Sequence, residues 1–337
     1  MAINNTITIT NGPIDVSKVN QAVREHENLL VTIQQEEAND ILQHFTPMPG
    51  VKDSVTLGKT LLGQISRKYT GEFKGQVQQG EIQPEELKVY PCVMEIADEP
   101  ENLRRIYVTE VAGGLKPEEH PFGVWLINWG VKSASKELHD VFLSAKYDSS
   151  ASKTSLSDAF DGPLTKIQQA ITAKKVSAAN GNLYTTGALS SSNIGDKLLE
   201  AWRSMPSAAR KQNMKLMLSM EAGDKYDDWM EAQGTYIIGS GKDEYGAKYL
   251  RGTGGKVEIV RMSSVPASQV DFFWFTIKEN QRYGYDQPSD MKRLIAFNSG
   301  NPYMFTAAGK YVLGTAFVSY NKYLFLCNEQ GMNIPSA

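Results

Sequence analysis

The run Pro121–Tyr147, PFGVWLINWGVKSASKELHDVFLSAKY, constrains the fold more than any other stretch. Ile127, Val131, Ala134, Leu138, Val141 and Ala145 recur at alternating spacings of four and three, which lays one apolar stripe along a helix. Lys132, Lys136, Glu137 and Asp140 fall off that stripe. Pro121 suits a first helical turn, where its missing N–H has no helical partner to lose. A helix over the whole run has roughly 25 residues and spans about 38 Å, which is long for a globular protein. Trp125 and Trp129, four apart, add a second apolar patch near its N-terminal end. The stripe alone describes an ordinary core helix. Stripe and patch together predict a helix covered on more than one side.

The rest of the composition sets bounds. Of 337 residues, 41% are hydrophobic and 22% charged, enough apolar material for one large or two medium cores. The net charge of −3 does not favour tight binding to nucleic acid or to a membrane surface. No apolar run reaches the roughly 18 residues that a membrane span needs. MAINNTITITNG has no basic stretch leading into an apolar core, so it is not read as a secretion signal. Cys92 and Cys327 lie far apart and spell neither a disulfide framework nor a metal site. A reducing cytoplasm is the default compartment for such a chain.

Residues 1–13 read as an extended arm, from the alternation through Ile3, Ile7 and Ile9, closed by Asn11-Gly12-Pro13. Asp15 is a good N-cap for a moderately amphipathic helix that runs to about Phe45, and Pro47 and Pro49 stop it. Residues 51–105 carry recurrent glycines and two strand-like runs around a polar middle. In the clearer run, Leu87–Ile96, the alternation holds Leu87 and Val89, then shifts phase near Pro91 to Cys92, Met94 and Ile96. This predicts a long two-stranded excursion, an element that is marginal alone in water.

Charge is segregated here. Residues 52–74 carry Lys52, Lys59, Arg67, Lys68 and Lys74 against Asp53 and Glu72, net +3, whereas residues 81–119 carry ten acids against four bases, net −6. Solvated surface accounts for both segments. A basic loop meeting an acidic stretch between copies of the chain accounts for them as well, and would fix register more than affinity.

After a Ser-rich connector, residues 158–173 read as a short helix with Ile167 and Ile171 inward, and 174–192 as loop. Asn193–Met205 reads as a helix with Ile194, Leu198, Leu199 and Trp202 on one face. Met214–Met220 reads as a buried strand, Asp224–Gln233 as a helix, and Val257–Arg261 and Asp271–Ile277 as strands. Residues 193–286 thus resemble one α/β layer. Met291–Asn298, Tyr303–Thr306, Tyr311–Ser319 and Lys322–Cys327 close the chain as strands, with Gly309-Lys310 read as a turn.

Chemical motifs are sparse. The four histidines, His26, His44, His120 and His139, have no metal-ligand spacing. Ser133 and Lys136 match SxxK without its companion motifs. Gly252-Thr253-Gly254-Gly255-Lys256 fails the phosphate-loop spacing, since Leu250 stands at the first glycine and Val257 at the Ser/Thr place; a tight turn explains it. Asp224, Asp227 and Asp228 read as a solvated acidic helix face.

Four runs in order carry a family resemblance: GEIQPEELKVYPCVMEI, SLSDAFDGPLTKI, KLMLSMEAGDKYDDWM and GKVEIVRMSSVPASQVDFFWFTIKENQRYGYD, the last with Asn280, Gly284 and Asp286. Together with the arm and the long helix they resemble the tailed-phage major capsid protein family, the Hong Kong phage capsid fold. That fold is shared with encapsulins and the herpesvirus capsid floor. The resemblance implies an α+β fold divided as an N-terminal arm and helix (1–50), an extended loop (51–105), a peripheral domain with a spine helix at 121–147 (106–190), an inserted α/β axial domain (191–287) and closing strands of the peripheral domain (288–337).

It further implies a non-enzymatic shell protein without metal or cofactor, assembling as hexamers and pentamers of an icosahedral capsid around double-stranded DNA. Its partners would be itself and neighbouring capsomers, with scaffolding, portal and decoration proteins as further candidates. DNA would be contacted only non-specifically, and no membrane is involved. The location implied is the virion capsid, assembled in the host cytoplasm. Inter-subunit contacts are expected at Lys59, Arg67, Lys68, Lys74, Glu85, Glu86, Trp125 and Trp129. Two departures stand out: there is no obvious long N-terminal scaffolding segment, and no lysine–asparagine cross-linking pair can be transferred. The alternatives are an encapsulin-like compartment shell and a cytosolic α/β enzyme using Asp224, Asp228 and Glu231.

Overall fold

The computed structural model describes residues 39–61, 81–113, 122–150, 154–233, 248–265, 272–287, 294–297, 303–320 and 324–328. In chain order the first elements are α1 (Asn39–Leu42), β1 (Thr46–Met48), β2 (Ser54–Leu61), β3 (Glu81–Lys88), β4 (Tyr90–Asp98), α2 (Pro100–Ala112), α3 (Phe122–Val141) and α4 (Pro163–Thr172). There follow β5 (Leu183–Thr185), α5 (Ile194–Ser204), α6 (Ser207–Arg210), β6 (Met214–Ser219), α7 (Met220–Ala232), β7 (Val257–Met262), β8 (Phe272–Thr276), β9 (Gln281–Gly284), β10 (Ile295–Phe297), β11 (Phe305–Phe317) and β12 (Leu324–Asn328). The chain divides into two units. One draws on residues 91–139 and 286–312, the other on 41–90, 140–285 and 313–337. Pro121 and residues 15–38 of the helix expected from Asp15 to about Phe45 lie outside the described residues; within that range α1 is helical and ends at Leu42.

The first unit is built on α3. Val124, Trp125, Leu126, Ile127 and Asn128 are consecutive and all buried, so this part of the helix is covered all round, as the stripe and tryptophan patch predict. Val131 and Leu138 continue the stripe inward, with Ala134 half-buried. Gly130 admits a close neighbour: a Cβ there would lie 2.2 Å from Ile96 Cδ1 and 3.3 Å from Leu294 Cδ2. The acidic stretch conceals α2, a helix absent from the sequence reading, so the excursion expected over 51–105 ends well before residue 105. Pro100 opens α2, and among its side chains only Pro100, Leu103 and Tyr107 are buried. Tyr107 packs on Phe122 and Trp125 at centroid distances of 5.3 and 5.2 Å.

The strand β11 is a second correction. It runs unbroken through Gly309-Lys310, where a turn is expected, because Phe305, Ala307, Gly309, Tyr311 and Leu313 keep an inward period of two across the glycine. Its first part pairs antiparallel with β10, Ile295 opposite Ala308, and β4 also pairs with it. Cys92 of β4 and Tyr311 of β11 share a side-chain hydrogen bond. Burial pushes the Cys92 thiol up to about 12, with the Tyr311 bond pulling the other way. Burial also raises the Tyr311 phenol.

In the second unit the helical run stops at Val141, short of the expected Tyr147. Phe142, Leu143 and Ala145 remain buried, but a remote segment captures their backbone. Leu164 N–H donates to Leu143 O (3.0 Å), Gly162 N–H to Ala145 O (2.8 Å) and Lys146 N–H to Ser157 O (2.8 Å). Phe160 and Leu164 are buried beside Gly162, with Phe160 6.2 Å from Phe142 between centroids. In α4, Ile167 is buried and Ile171 half-buried.

A five-stranded sheet in the order β5-β12-β8-β6-β7 follows. The pairs β6/β7 and β12/β5 are parallel, whereas β6/β8 and β12/β8 are antiparallel. The sheet is therefore mixed, not an alternating α/β layer. The last strand, β12, belongs to it and not to the sheet of β10 and β11, and β5 forms inside the segment read as loop. Leu216 and Leu218 join a cluster with Ile194, Leu198 and Trp202 of α5 and Tyr226, Trp229 and Met230 of α7. Met217, between the two leucines, is also fully buried, so β6 is covered on both faces, as its unbroken apolar run requires. Ser219 turns the strand into α7 by accepting the Ala222 N–H at 3.1 Å, an N-cap.

A smaller arrangement pairs β1 parallel with β9, and β9 antiparallel with the end of β11. Asn280, 2% exposed, ties it together. Its side chain donates to Thr276 Oγ1 (3.2 Å) and accepts from Ser319 N–H (2.9 Å), and its carbonyl accepts from Val318 N–H (3.0 Å). Asn280→Ala leaves the buried Ser319 N–H without its acceptor, at a cost of about 1–3 kcal/mol. The urea midpoint should fall accordingly with the m-value unchanged. An unaltered midpoint would show that the tie carries no stability.

Candidate functional site

No pocket with convergent chemistry stands out among the described residues, but one element does not bury itself. The strands β2 and β3 pair antiparallel from Ser54↔Lys88 to Leu61↔Glu81, and among the described residues they pair with no third strand. An isolated ribbon of this kind is marginal in water. Its persistence therefore depends on its root.

The root is seated on two glycines. Gly284 of β9 and Gly314 of β11 are register partners. A Cβ at Gly314 would lie 2.0 Å from Lys88 O and 3.0 Å from Val89 Cα, and one at Gly284 would lie 2.9 Å from Leu87 Cδ2 and 3.0 Å from Val89 Cγ1. Only glycine admits the backbone of Lys88 this closely. Leu87 and Val89 are buried on the seat, and Val89 N–H donates to Asp53 O at 2.8 Å. One residue on, the chain changes sheet and becomes β4. The run Leu87–Ile96 is therefore the end of one strand and the start of another. The phase shift near Pro91 records that change, with Leu87 and Val89 inward before it and Cys92 and Met94 after it.

Polar contacts flank the seat. On one side the Lys175 ammonium meets Glu85 of β3 at 2.7 Å. On the other, Tyr90 stacks on Tyr147 at 4.0 Å between centroids, with Lys88 Nζ 5.3 Å from the Tyr90 ring. Beneath them Asp161, 7% exposed, accepts from Tyr147 N–H (3.1 Å), Lys166 Nζ (3.0 Å) and Gln169 Nε2 (3.3 Å), while its carbonyl accepts from Thr315 Oγ1 (2.7 Å). Burial pushes the Tyr90 phenol up to about 12, helped by Asp161, Tyr147 and Glu86. Burial and then Glu85 raise Tyr320, and burial and then Tyr285 raise Tyr283.

The expected contact residues separate into groups. Arg67, Lys68 and Lys74 lie outside the described residues, and Lys59 lies in β2. Glu86 is exposed on β3, whereas Glu85 is engaged within its own chain. Trp125 is a packing residue: it is 5% exposed, and its indole N–H donates to Glu110. Trp129 is half-buried and stacks on Trp125 at 6.3 Å. Sequence reasoning missed Gly314 and Lys175, and it named Gly284 only within a family-like run and not as a seat; the local trace was the strand-type pattern around each glycine.

Several of the residues weighed for chemistry have structural partners. Arg261 pairs with Asp227 and, at 3.6 Å, with Asp224. Gly252, Gly254 and Gly255 have positive φ, and Thr253 Oγ1 donates to Leu250 O, as a tight turn requires. Ser133 and Lys136 are exposed on α3. Lys215 donates to His44 Nδ1 and pairs with Glu258, each near 3 Å. Among the described residues no group of three or more His, Cys, Asp or Glu side chains could hold a metal ion, and no helix is long and apolar enough to cross a membrane.

No protein-family model matches the chain, and no curated protein matches it in sequence. Solved structures do. A chain of the satellite phage P4 procapsid including size determination (Sid) protein is 12% identical with a TM-score of 0.54, covering 90% of this chain and 99% of its own. The capsid of the native GTA particle matches with 11% identity and a TM-score of 0.54, covering 86% of this chain and 90% of its own. The cyanophage A-1(L) capsid matches with 12% identity and a TM-score of 0.52, over 86% and 92%. The chain has an α+β phage-capsid fold.

Two outcomes follow from the root. In Gly314→Ala the new methyl meets backbone rather than a movable side-chain tip, so the ribbon must lift or the strands part. Faster hydrogen exchange across β2 and β3, with exchange in β6 and β7 unchanged, is the expected result; unchanged exchange at Val89 would refute the seat. Alkali should also destabilise the fold. The unfolded chain releases its phenol and thiol protons near ordinary values of about 9–10, whereas Tyr90 and Cys92 hold theirs to about 12. Stability is then fully present below pH about 9 and is lost as pH rises towards 12. A urea midpoint independent of pH across that window would contradict the burial of these groups.

Proposed function

We propose that this chain is the major capsid protein of a tailed bacteriophage. In this reading it assembles as hexamers and pentamers into an icosahedral shell around double-stranded DNA. The observation that carries the reading is the extent of the likeness: 90% of this chain against 99% of a P4 procapsid chain, a whole-chain layout and not one shared domain. In this reading α3 is the spine helix and the β2–β3 ribbon is the extended loop. The β5-β12-β8-β6-β7 sheet with α5 and α7 is the axial domain. The ribbon, which among the described residues pairs with no third strand, finds its remaining partner in a neighbouring copy. Lys59, Arg67, Lys68 and Lys74 on the basic segment then meet acids of the 81–119 stretch, Glu86 among them, across the contact. Scaffolding, portal and decoration proteins are further partners. A net charge of −3 lets the shell enclose DNA without adhering to it.

Electron microscopy of the purified protein, with mass by light scattering, tests the reading. Rings, sheets or closed shells tens of nanometres across are expected, and a compact monomer under every assembly condition, scaffold co-expression included, would defeat it. Deleting residues 58–80 should leave a folded, soluble protein with near-native thermal stability and poor assembly. A deletion that unfolds the subunit would show that the segment serves its own core instead.

A further inference from the structure

Lys175 is held more firmly than a surface lysine requires. The preceding Lys174 has φ +57°, a conformation that side-chain-bearing residues seldom adopt. Lys175 N–H donates to Ala170 O at 2.8 Å, and its carbonyl accepts from both Asn180 Nδ2 (3.2 Å) and Asn182 Nδ2 (3.0 Å). Asn182, 2% exposed, also donates to Tyr320 O at 3.0 Å. From this post the ammonium passes 5.6 Å from the Tyr320 ring centroid and reaches both carboxylate oxygens of Glu85, at 2.7 and 2.8 Å. Glu85 precedes Leu87 by two residues, on the same face of β3.

We infer that Lys175 and Glu85 form a latch that sets the direction of the β2–β3 ribbon. The glycine seat holds the ribbon at Leu87–Val89, and Leu57, the register partner of Glu85, is buried one step outward. Apolar burial is non-directional, so a rod held this way near one end can still turn about that end. A second contact, one step outward along β3, removes the rotation. An ordinary exposed ion pair loses its Coulomb gain to side-chain ordering. Here the lysine backbone is ordered already by the two asparagines and the Ala170 bond, so closing the latch orders little more. The pair remains partly exposed, at 44% and 17%, so salt should loosen it. The consequence for assembly rests on the shell reading above: a neighbouring copy meets the ribbon at the angle the latch allows.

The test uses the unassembled full-length chain, with spin labels at Thr56→Cys on β2 and Asp196→Cys on α5. Cys327→Ser removes a second thiol, and buried Cys92 stays in place. Pulsed dipolar spectroscopy should give a narrow distance distribution. Lys175→Ala should widen it at least twofold, and salt of about 1 M, where screening acts within about 3 Å, should widen it in the same direction. The double exchange Lys175→Glu with Glu85→Lys should narrow it again, which a general loss of packing would not do. If Lys175→Ala lowers the melting temperature markedly, Glu85→Gln, which keeps the lysine and the shape of its partner, replaces it. An unchanged width in the folded variant overturns the latch whether or not shells form. A widened distribution with unaltered shells upholds the latch and counts against the ribbon's place in the shell.

Discussion

The contact between the Lys88 carbonyl and Gly314 is the constraint on which the ribbon depends. Among the described residues its two strands have no third, and such a pair is marginal in water, so its order comes from its root. Burying Leu87 and Val89 is worth about 1.5–3 kcal/mol each. Gly284 and Gly314 weaken their strands by roughly 0.5–1 kcal/mol each relative to alanine. The burial outweighs the glycines, but only because they let the backbone in. Any side chain at position 314 would hold Lys88 off and remove the contact that Leu87 and Val89 exploit.

The parts of this fold that are legible in the sequence are those whose causes are local. The stripe of α3 shows because Ile127, Val131 and Leu138 are one helical face. The strand-to-helix corner shows because Ser219 caps the helix that begins beside it. The run MKLMLS reads as a buried strand because both its faces are covered. Misreadings occur where a distant residue decides. Helix α3 ends at Val141 because Gly162 and Leu164 take the carbonyls that a longer helix would use. Gly309 breaks nothing, because its neighbours on β11 keep their alternation. With so few inward side chains, α2 gave no period to read, although Pro100 marked its start.

The candidate site was legible only in outline. The excursion and its segregated charges can be read from composition, and the phase shift at Pro91 locates the change of sheet. What holds the excursion cannot be read so. Gly284 and Gly314 matter as register partners, a relation defined by strand pairing and invisible to any local window. Lys175 lies in a segment whose small and polar residues read as loop. Its importance comes from Asn180, Asn182 and Glu85, the last of them ninety positions away. Trp125 is a different case: its spacing from Trp129 marks a patch, and within the chain Glu110 and Tyr107 cover it.

The same residues explain why an element this weakly paired can persist in a stable subunit. The buried polar side chains Asn280 and Asn182 each join segments distant in sequence, and Asp161 gathers Tyr147, Lys166 and Gln169 while its carbonyl accepts from Thr315. Satisfied polar ties of this kind specify one arrangement where apolar packing alone tolerates several. They make the ground beneath the ribbon rigid. In the proposed shell a ribbon fixed at its root, and paired with no third strand among the described residues, is completed by a neighbour. In a closed symmetric assembly each such contact recurs at every equivalent position, so a modest interface, repeated, is enough to hold the whole.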